Sequence, residues 1–106
     1  MIRVLVVDDH PVLRDGLAQL LGQAQGVELI GLAADGAAGV EVALEEAPDV
    51  VLMDLEMPGL DGIEATRRIR SSRPETQVVV LTSFSDRARI LDALDAGAAG
   101  YLLKDA

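Results

Sequence analysis

Apolar and polar positions alternate along this chain between two rhythms. Short runs rich in Val, Leu and Ile, at 3–7, 27–33, 50–53, 78–81 and 100–103, carry too many β-branched residues in too few positions to be helices, and each reads as a strand. Between them the apolar residues recur at helical spacing. Leu13, Leu17, Leu20, Leu21 and Ala24 mark one helix, and Val40, Ala43, Leu44 and Ala47 a second that ends at Pro48. Ile63, Thr66 and Ile69 mark a third, broken by Ser71–Ser72–Arg73–Pro74. Ile90, Leu91 and Leu94 mark a fourth, with Ser85 as its N-cap and Gly97 near its end.

Strands that alternate with helices imply βαβ units, a parallel sheet and right-handed crossovers. The runs VLVV, VVLM and VVVL are apolar at consecutive positions, as strands buried on both faces must be. The second run, VELIGLAA, alternates and reads as an edge. The expected architecture is therefore a doubly wound, flavodoxin-like sheet of order 2-1-3-4-5, whose ligands bind beyond the carboxyl ends of the strands.

Those carboxyl ends hold the unusual residues. The first strand ends in Asp8–Asp9, the third in Asp54, the fourth in Thr82–Ser83 and the fifth in Lys104. Parallel strands bring such tips close together, and three crowded carboxylates repel one another strongly away from water. A hard divalent cation relieves that repulsion, and oxygen-only ligands without His or Cys suit Mg²⁺ rather than zinc. A carboxylate beside a metal, a hydroxyl and an ammonium group is equipped to attack a phosphoryl group and hold the product.

Composition narrows the rest. The chain has 106 residues, half of them hydrophobic, which suits one domain with a real core. Eighteen Asp and Glu against nine Lys and Arg leave a net charge of −9, which disfavours direct binding to nucleic acid or to anionic membrane. Cysteine is absent, so disulfides and thiolate metal sites play no part. No stretch approaches the roughly 20 apolar residues of a membrane helix, and MIRVLVV is too short for a signal-peptide core. A cytoplasmic location is expected. The two aromatic residues, Phe84 and Tyr101, are too few for a base-stacking platform.

Four segments taken together, VLVVDDHP, VVLMDLEMPGLDG, VVVLTS and AGYLLKDA, resemble the response regulator receiver domain of two-component systems over the whole chain. GYLLKDA resembles the NarL/FixJ (LuxR-type) subgroup, since Asp105 stands where many receivers have proline. The resemblance implies Asp54 as phosphoacceptor from a sensor histidine kinase. It implies Asp9, Asp54 and the Glu56 backbone carbonyl as Mg²⁺ ligands, with Asp8 acting indirectly. Thr82 and Lys104 would bind phosphoryl oxygens, and Thr82 with Tyr101 would form a switch that alters the face around helix 4 and strand 5. Pro58 and Gly59 would shape the turn, and Gly62 would open the third helix. Phosphorylation would favour a homodimer, and the output would be transcriptional. DNA would be reached only through a C-terminal domain that these residues lack.

Simpler readings exist for several positions. Asp8 or Asp9 could cap the first helix, His10 reads as a surface residue without chemistry, and Met53 and Met57 as packing. Glu56 adds negative charge near the site with no assigned effect. Two rival functions also remain: an aspartyl-phosphate phosphatase, disfavoured by Asp54–Leu55–Glu56 in place of Asp-x-Asp and by the lack of a cap, and a pseudo-receiver, disfavoured by the intact chemical positions. The receiver reading also expects a C-terminally truncated domain, 1–106, without a fifth helix. The apolar face left bare would be covered by a partner chain or a neighbouring molecule.

Overall fold

In the computed structural model, which describes residues 1–57, 59–83 and 86–104, each apolar run becomes a strand of one sheet. The order along the chain is β1 (Ile2–Val7), α1 (Pro11–Gln23), β2 (Val27–Ala33), α2 (Gly36–Glu46), β3 (Val50–Asp54), α3 (Gly62–Ser72), β4 (Gln77–Thr82), α4 (Arg87–Asp95) and β5 (Gly100–Leu103). The strands are parallel in the order β2-β1-β3-β4-β5. This is the flavodoxin-like arrangement expected from the pattern, with the alternating strand β2 at an edge. Pro58, Phe84, Ser85 and Asp105 lie outside the described residues. The N-cap position of α4 is held by Asp86.

Strand parity divides the core into two layers. Leu5, Val7, Val51, Met53, Val78 and Val80 point to the face covered by α2, α3 and α4, where Ala43, Ala65, Ile69 and Ala93 meet them. Burying side chains such as Leu5, Met53 or Ile69 completely contributes about 1.5–3 kcal/mol each. Val4, Val6, Leu52 and Leu81 point to the other face, which α1 covers through Leu17 and Leu21.

A single helix does not cover that second face. No residue of α1 is fully buried. Leu20, which belongs to its apolar stripe by spacing, is 68% exposed, and Leu102 on β5 is 53% exposed. An open groove of about 520 Å³ runs here, lined by Leu13, Leu17 and Leu20 and reaching Glu56 and Lys104.

Close approach explains two glycines. At Gly62 any Cβ would overlap the Asp54 carbonyl oxygen, so only glycine lets α3 start directly beneath the tip of β3. Gly97, at φ 111°, takes the left-handed conformation that ends α4, and its N–H donates to the Leu94 carbonyl.

Candidate functional site

The sheet's own hydrogen bonds align the strand tips. Leu55 N–H donates to the Leu81 carbonyl at 3.0 Å, and Lys104 N–H to the Thr82 carbonyl at 2.8 Å. Asp8 N–H donates to the Ala33 carbonyl at 2.9 Å. Side chains leaving these positions converge above the carboxyl edge. Ligand atoms of Asp8, Asp9, His10 and Asp54 all lie within 4.8 Å of one another.

Asp54 is fully buried at the centre of this cluster. Its Oδ1 is held twice, by Lys104 Nζ at 2.7 Å and by the Glu56 N–H at 2.9 Å. Lys104 Nζ also lies 3.7 Å from Asp8 Oδ2, so one ammonium group faces two buried carboxylates. Asp54 Oδ2 has no hydrogen-bond partner, and neither do Asp8 Oδ2, Asp9 Oδ1 or the Thr82 hydroxyl, all of them buried atoms. Buried polar atoms in proteins are nearly always hydrogen-bonded, so four without a hydrogen bond at one edge of the sheet mark a place built for something to arrive. Three are anionic oxygens and one is a hydroxyl. That donor set fits a hard divalent cation next to a group rich in oxygen acceptors.

His10 was given no chemistry from the sequence, yet its ring enters the cluster. Nδ1 lies 3.1 Å from Asp8 Oδ1, 3.2 Å from Asp9 Oδ1 and 3.5 Å from Asp54 Oδ2. The hydrogen bond to Asp8 pushes the imidazole above its usual pKa, against the opposing charge of Lys104. Its adjacency to Asp8–Asp9 was the signal available in the sequence. The capping role considered for Asp8 or Asp9 is not seen: His10 holds the N-cap position of α1 with no side-chain cap hydrogen bond, and Asp8 Oδ1 accepts the His10 N–H at 2.7 Å just before the helix.

Glu56 reaches from the β3–α3 loop to β4, where its Oε1 accepts the Ser83 N–H at 3.1 Å. Burial raises the Glu56 carboxyl, but the hydrogen bonds from Ser83, helped by Lys104 and His10, outweigh it and leave the pKa below its ordinary value. Tyr101 pairs with Val80 across β4 and β5, and its side chain stands half exposed at the edge of the sheet. Met53 and Met57 are buried in the core. Among the described residues, Asp54, Asp8, Asp9, Thr82, Lys104 and Glu56 thus gather at one edge, while Tyr101 lies beside them rather than among them.

Comparison with known proteins agrees with this arrangement. Residues 4–106 match the response regulator receiver domain. The chain belongs to that family. Among curated relatives, the transcriptional regulatory protein LiaR of Bacillus subtilis is 50% identical over 104 residues, covering 98% of this chain and 49% of LiaR. GacA of Pseudomonas viridiflava is 45% identical over 106 residues, all of this chain and 50% of that protein. The receiver therefore spans about half the length of the curated relatives it matches. Among solved structures, the receiver domain of NarL from Mycobacterium tuberculosis superposes with a TM-score of 0.92 at 41% identity, covering 99% of this chain and 85% of that one. A LuxR-family response regulator from Aurantimonas gives 0.91 at 38% identity, covering 98% and 74%. These relatives place the receiver in the NarL/FixJ subgroup that GYLLKDA resembles. No helix among the described residues is long and apolar enough to cross a membrane.

Proposed function

We propose that this receiver is a phosphorylation-dependent switch in which Asp54 accepts a phosphoryl group from a sensor histidine kinase. The observation that carries the reading is Asp54 itself: a fully buried carboxylate with Oδ1 clamped by Lys104 and the Glu56 N–H and Oδ2 without a hydrogen bond. Holding Oδ1 aims Oδ2 outward as the nucleophile. As the Oδ2–phosphorus bond forms, the bond from phosphorus to the donor's histidine nitrogen breaks, and that nitrogen leaves with the electron pair. Lys104 and Thr82 then hold the transferred oxygens, the first by charge and the second by donating a hydrogen bond. Asp9, Asp54 and the Glu56 carbonyl, with Asp8 through water, would hold Mg²⁺, which supplies charge neutralisation between carboxylates and phosphoryl oxygens.

Switching follows from the unpaired Thr82 hydroxyl. Drawn toward the new phosphoryl oxygens, it vacates space beside β5 into which Tyr101 turns from its half-exposed position. The surface of α4 and β5 changes with it and supports a homodimer. The chemistry is limited to the protein's own phosphorylation and dephosphorylation. LiaR and its relatives are transcriptional regulators, which favours a cytoplasmic, transcriptional output through a DNA-binding domain outside these 106 residues.

Incubation with a small acyl-phosphate donor and Mg²⁺, followed by intact mass measurement, tests the reading. The wild-type chain should gain one phosphoryl group, and Asp54→Ala none. Uptake by the variant at the wild-type level would refute Asp54 as acceptor.

A further inference from the structure

The peptide joining Leu55 to Glu56 is gripped at both ends. Its N–H is the one that donates to Asp54 Oδ1 at 2.9 Å. Its carbonyl, on Leu55, accepts a hydrogen bond from Arg89 at 2.8 Å. Arg89 comes from α4, 34 residues further along the chain. The same guanidinium nitrogen donates to Asp61 Oδ1 at 3.0 Å, and Arg89 Nε lies 3.5 Å from Asp86 Oδ2. Asp61 Oδ1 in turn accepts the Ile63 N–H at 2.7 Å and caps α3. One side chain thus binds the first turn of α4, the cap of α3 and the peptide that holds the phosphoacceptor.

From this geometry we infer that Arg89 is a positioning residue for Asp54, and that it links the placement of α4 to the readiness of the acceptor. Two physical effects combine. A planar peptide whose carbonyl is fixed from below cannot rotate its N–H away from Asp54 without breaking both bonds. A cation on the carbonyl oxygen also polarises the peptide and strengthens its N–H as a donor. Arg89 is two-thirds buried on its side chain and stands in a small polar groove between α3 and α4, so its bonds are shielded from water on one side. Lysine could supply charge to the Leu55 carbonyl and Asp61 but has no second nitrogen to stand beside Asp86 as Arg89 Nε does.

The inference rests on Asp54 as acceptor, and the test separates the two. Arg89→Gln, Arg89→Lys and, as a control on α3 outside this groove, Arg68→Gln are compared with wild type in two measurements. The first is the amide ¹H–¹⁵N resonance of Glu56 with no phosphodonor present. The second is the rate of phosphoryl uptake from the acyl phosphate with Mg²⁺. Loss of the clamp should move the Glu56 amide proton upfield and slow uptake about tenfold, since small misplacement of a reacting group is costly. Arg89→Lys should fall between, and Arg68→Gln should match wild type in both. A Glu56 resonance and an uptake rate unchanged in Arg89→Gln, whatever happens to its melting temperature, would overturn the inference and leave Arg89 as glue between helices. If the wild-type chain takes up no phosphoryl group, the acceptor reading fails. The Glu56 resonance then decides the clamp alone.

Discussion

The two ends of the sheet handle buried polar groups in opposite ways. At the amino end nearly everything is paired. Asp49 accepts the Arg3 N–H at 2.8 Å, and the Arg3 guanidinium donates to the Glu46 carbonyl at 2.7 Å. The buried Thr76 hydroxyl donates to the Pro48 carbonyl at 2.7 Å, and Arg70 to the Thr76 carbonyl at 2.6 Å. At the carboxyl end Asp8, Asp9, Asp54 and Thr82 each keep a buried atom without a hydrogen bond. Among the described residues Arg70 Nε is the one further buried side-chain atom in that condition. One end is finished as structure, and the other holds binding capacity in reserve. Stability and function should therefore separate along the strand axis.

The largest test of that contrast is Lys104→Met. With the ammonium gone, Asp54 and Asp8 remain buried without their counter-charge, which should cost about 3 kcal/mol in the absence of divalent cations. Denaturant unfolding measures it, and Lys104→Met combined with Asp54→Asn should recover most of the loss. A single-variant cost no larger than that of a surface lysine would mean that the crowded end carries no stored repulsion.

Thr76→Val is the counterpart at the finished end. It keeps the shape but strands the Pro48 carbonyl, and should cost about 1–3 kcal/mol. Phosphoryl uptake should stay at the wild-type level once the measurement is made well below the melting temperature. A matching fall in uptake would show that the two ends are coupled after all.

A smaller effect comes from the cation. At a Mg²⁺ concentration ten times its Kd, the folded state should gain about 1.4 kcal/mol, seen as a rise in the unfolding midpoint. Asp9→Asn should lose most of that gain. Without Mg²⁺ the same variant should be no less stable than wild type, because a like charge has left the cluster.

How much of this could be read beforehand depends on the range over which a residue acts. Strand positions, sheet order and the meeting of Asp8, Asp54, Thr82 and Lys104 follow from local period and parallel topology, which place backbone atoms whatever the side chains do. Long side chains are another matter. Arg89 resembles any charged residue on a helix until folding brings Leu55 under it, and Thr76 reads as a strand opener rather than a lid on Pro48. His10 is the surface residue its sequence suggests, but nothing local says that its ring turns its Nδ1 toward the carboxylates. Helical spacing alone also does not tell Leu20, which is 68% exposed, from Leu17 and Leu21, which pack on the sheet.

The smallest prediction sets the baseline for charge outside the crowded end. Glu64 on α3 pairs with Arg67 at 3.0 Å and Arg68 at 3.2 Å in open solvent, and their hydrogen bonds hold its carboxyl below the usual 4.5. Because the folded pKa is the lower one, the pair's contribution is complete above the unfolded value and disappears as pH falls through the folded value. Glu64→Gln should therefore lower the melting temperature slightly near neutral pH, with the difference fading in acid. It should fade equally in about 1 M salt, where the screening length shrinks to roughly 3 Å. The Lys104 effect at the shielded cleft should outlast the same salt. Equal salt sensitivity at both places would mean that burial adds nothing to the charges around Asp54, and the contrast between the two ends would then rest on hydrogen bonding alone.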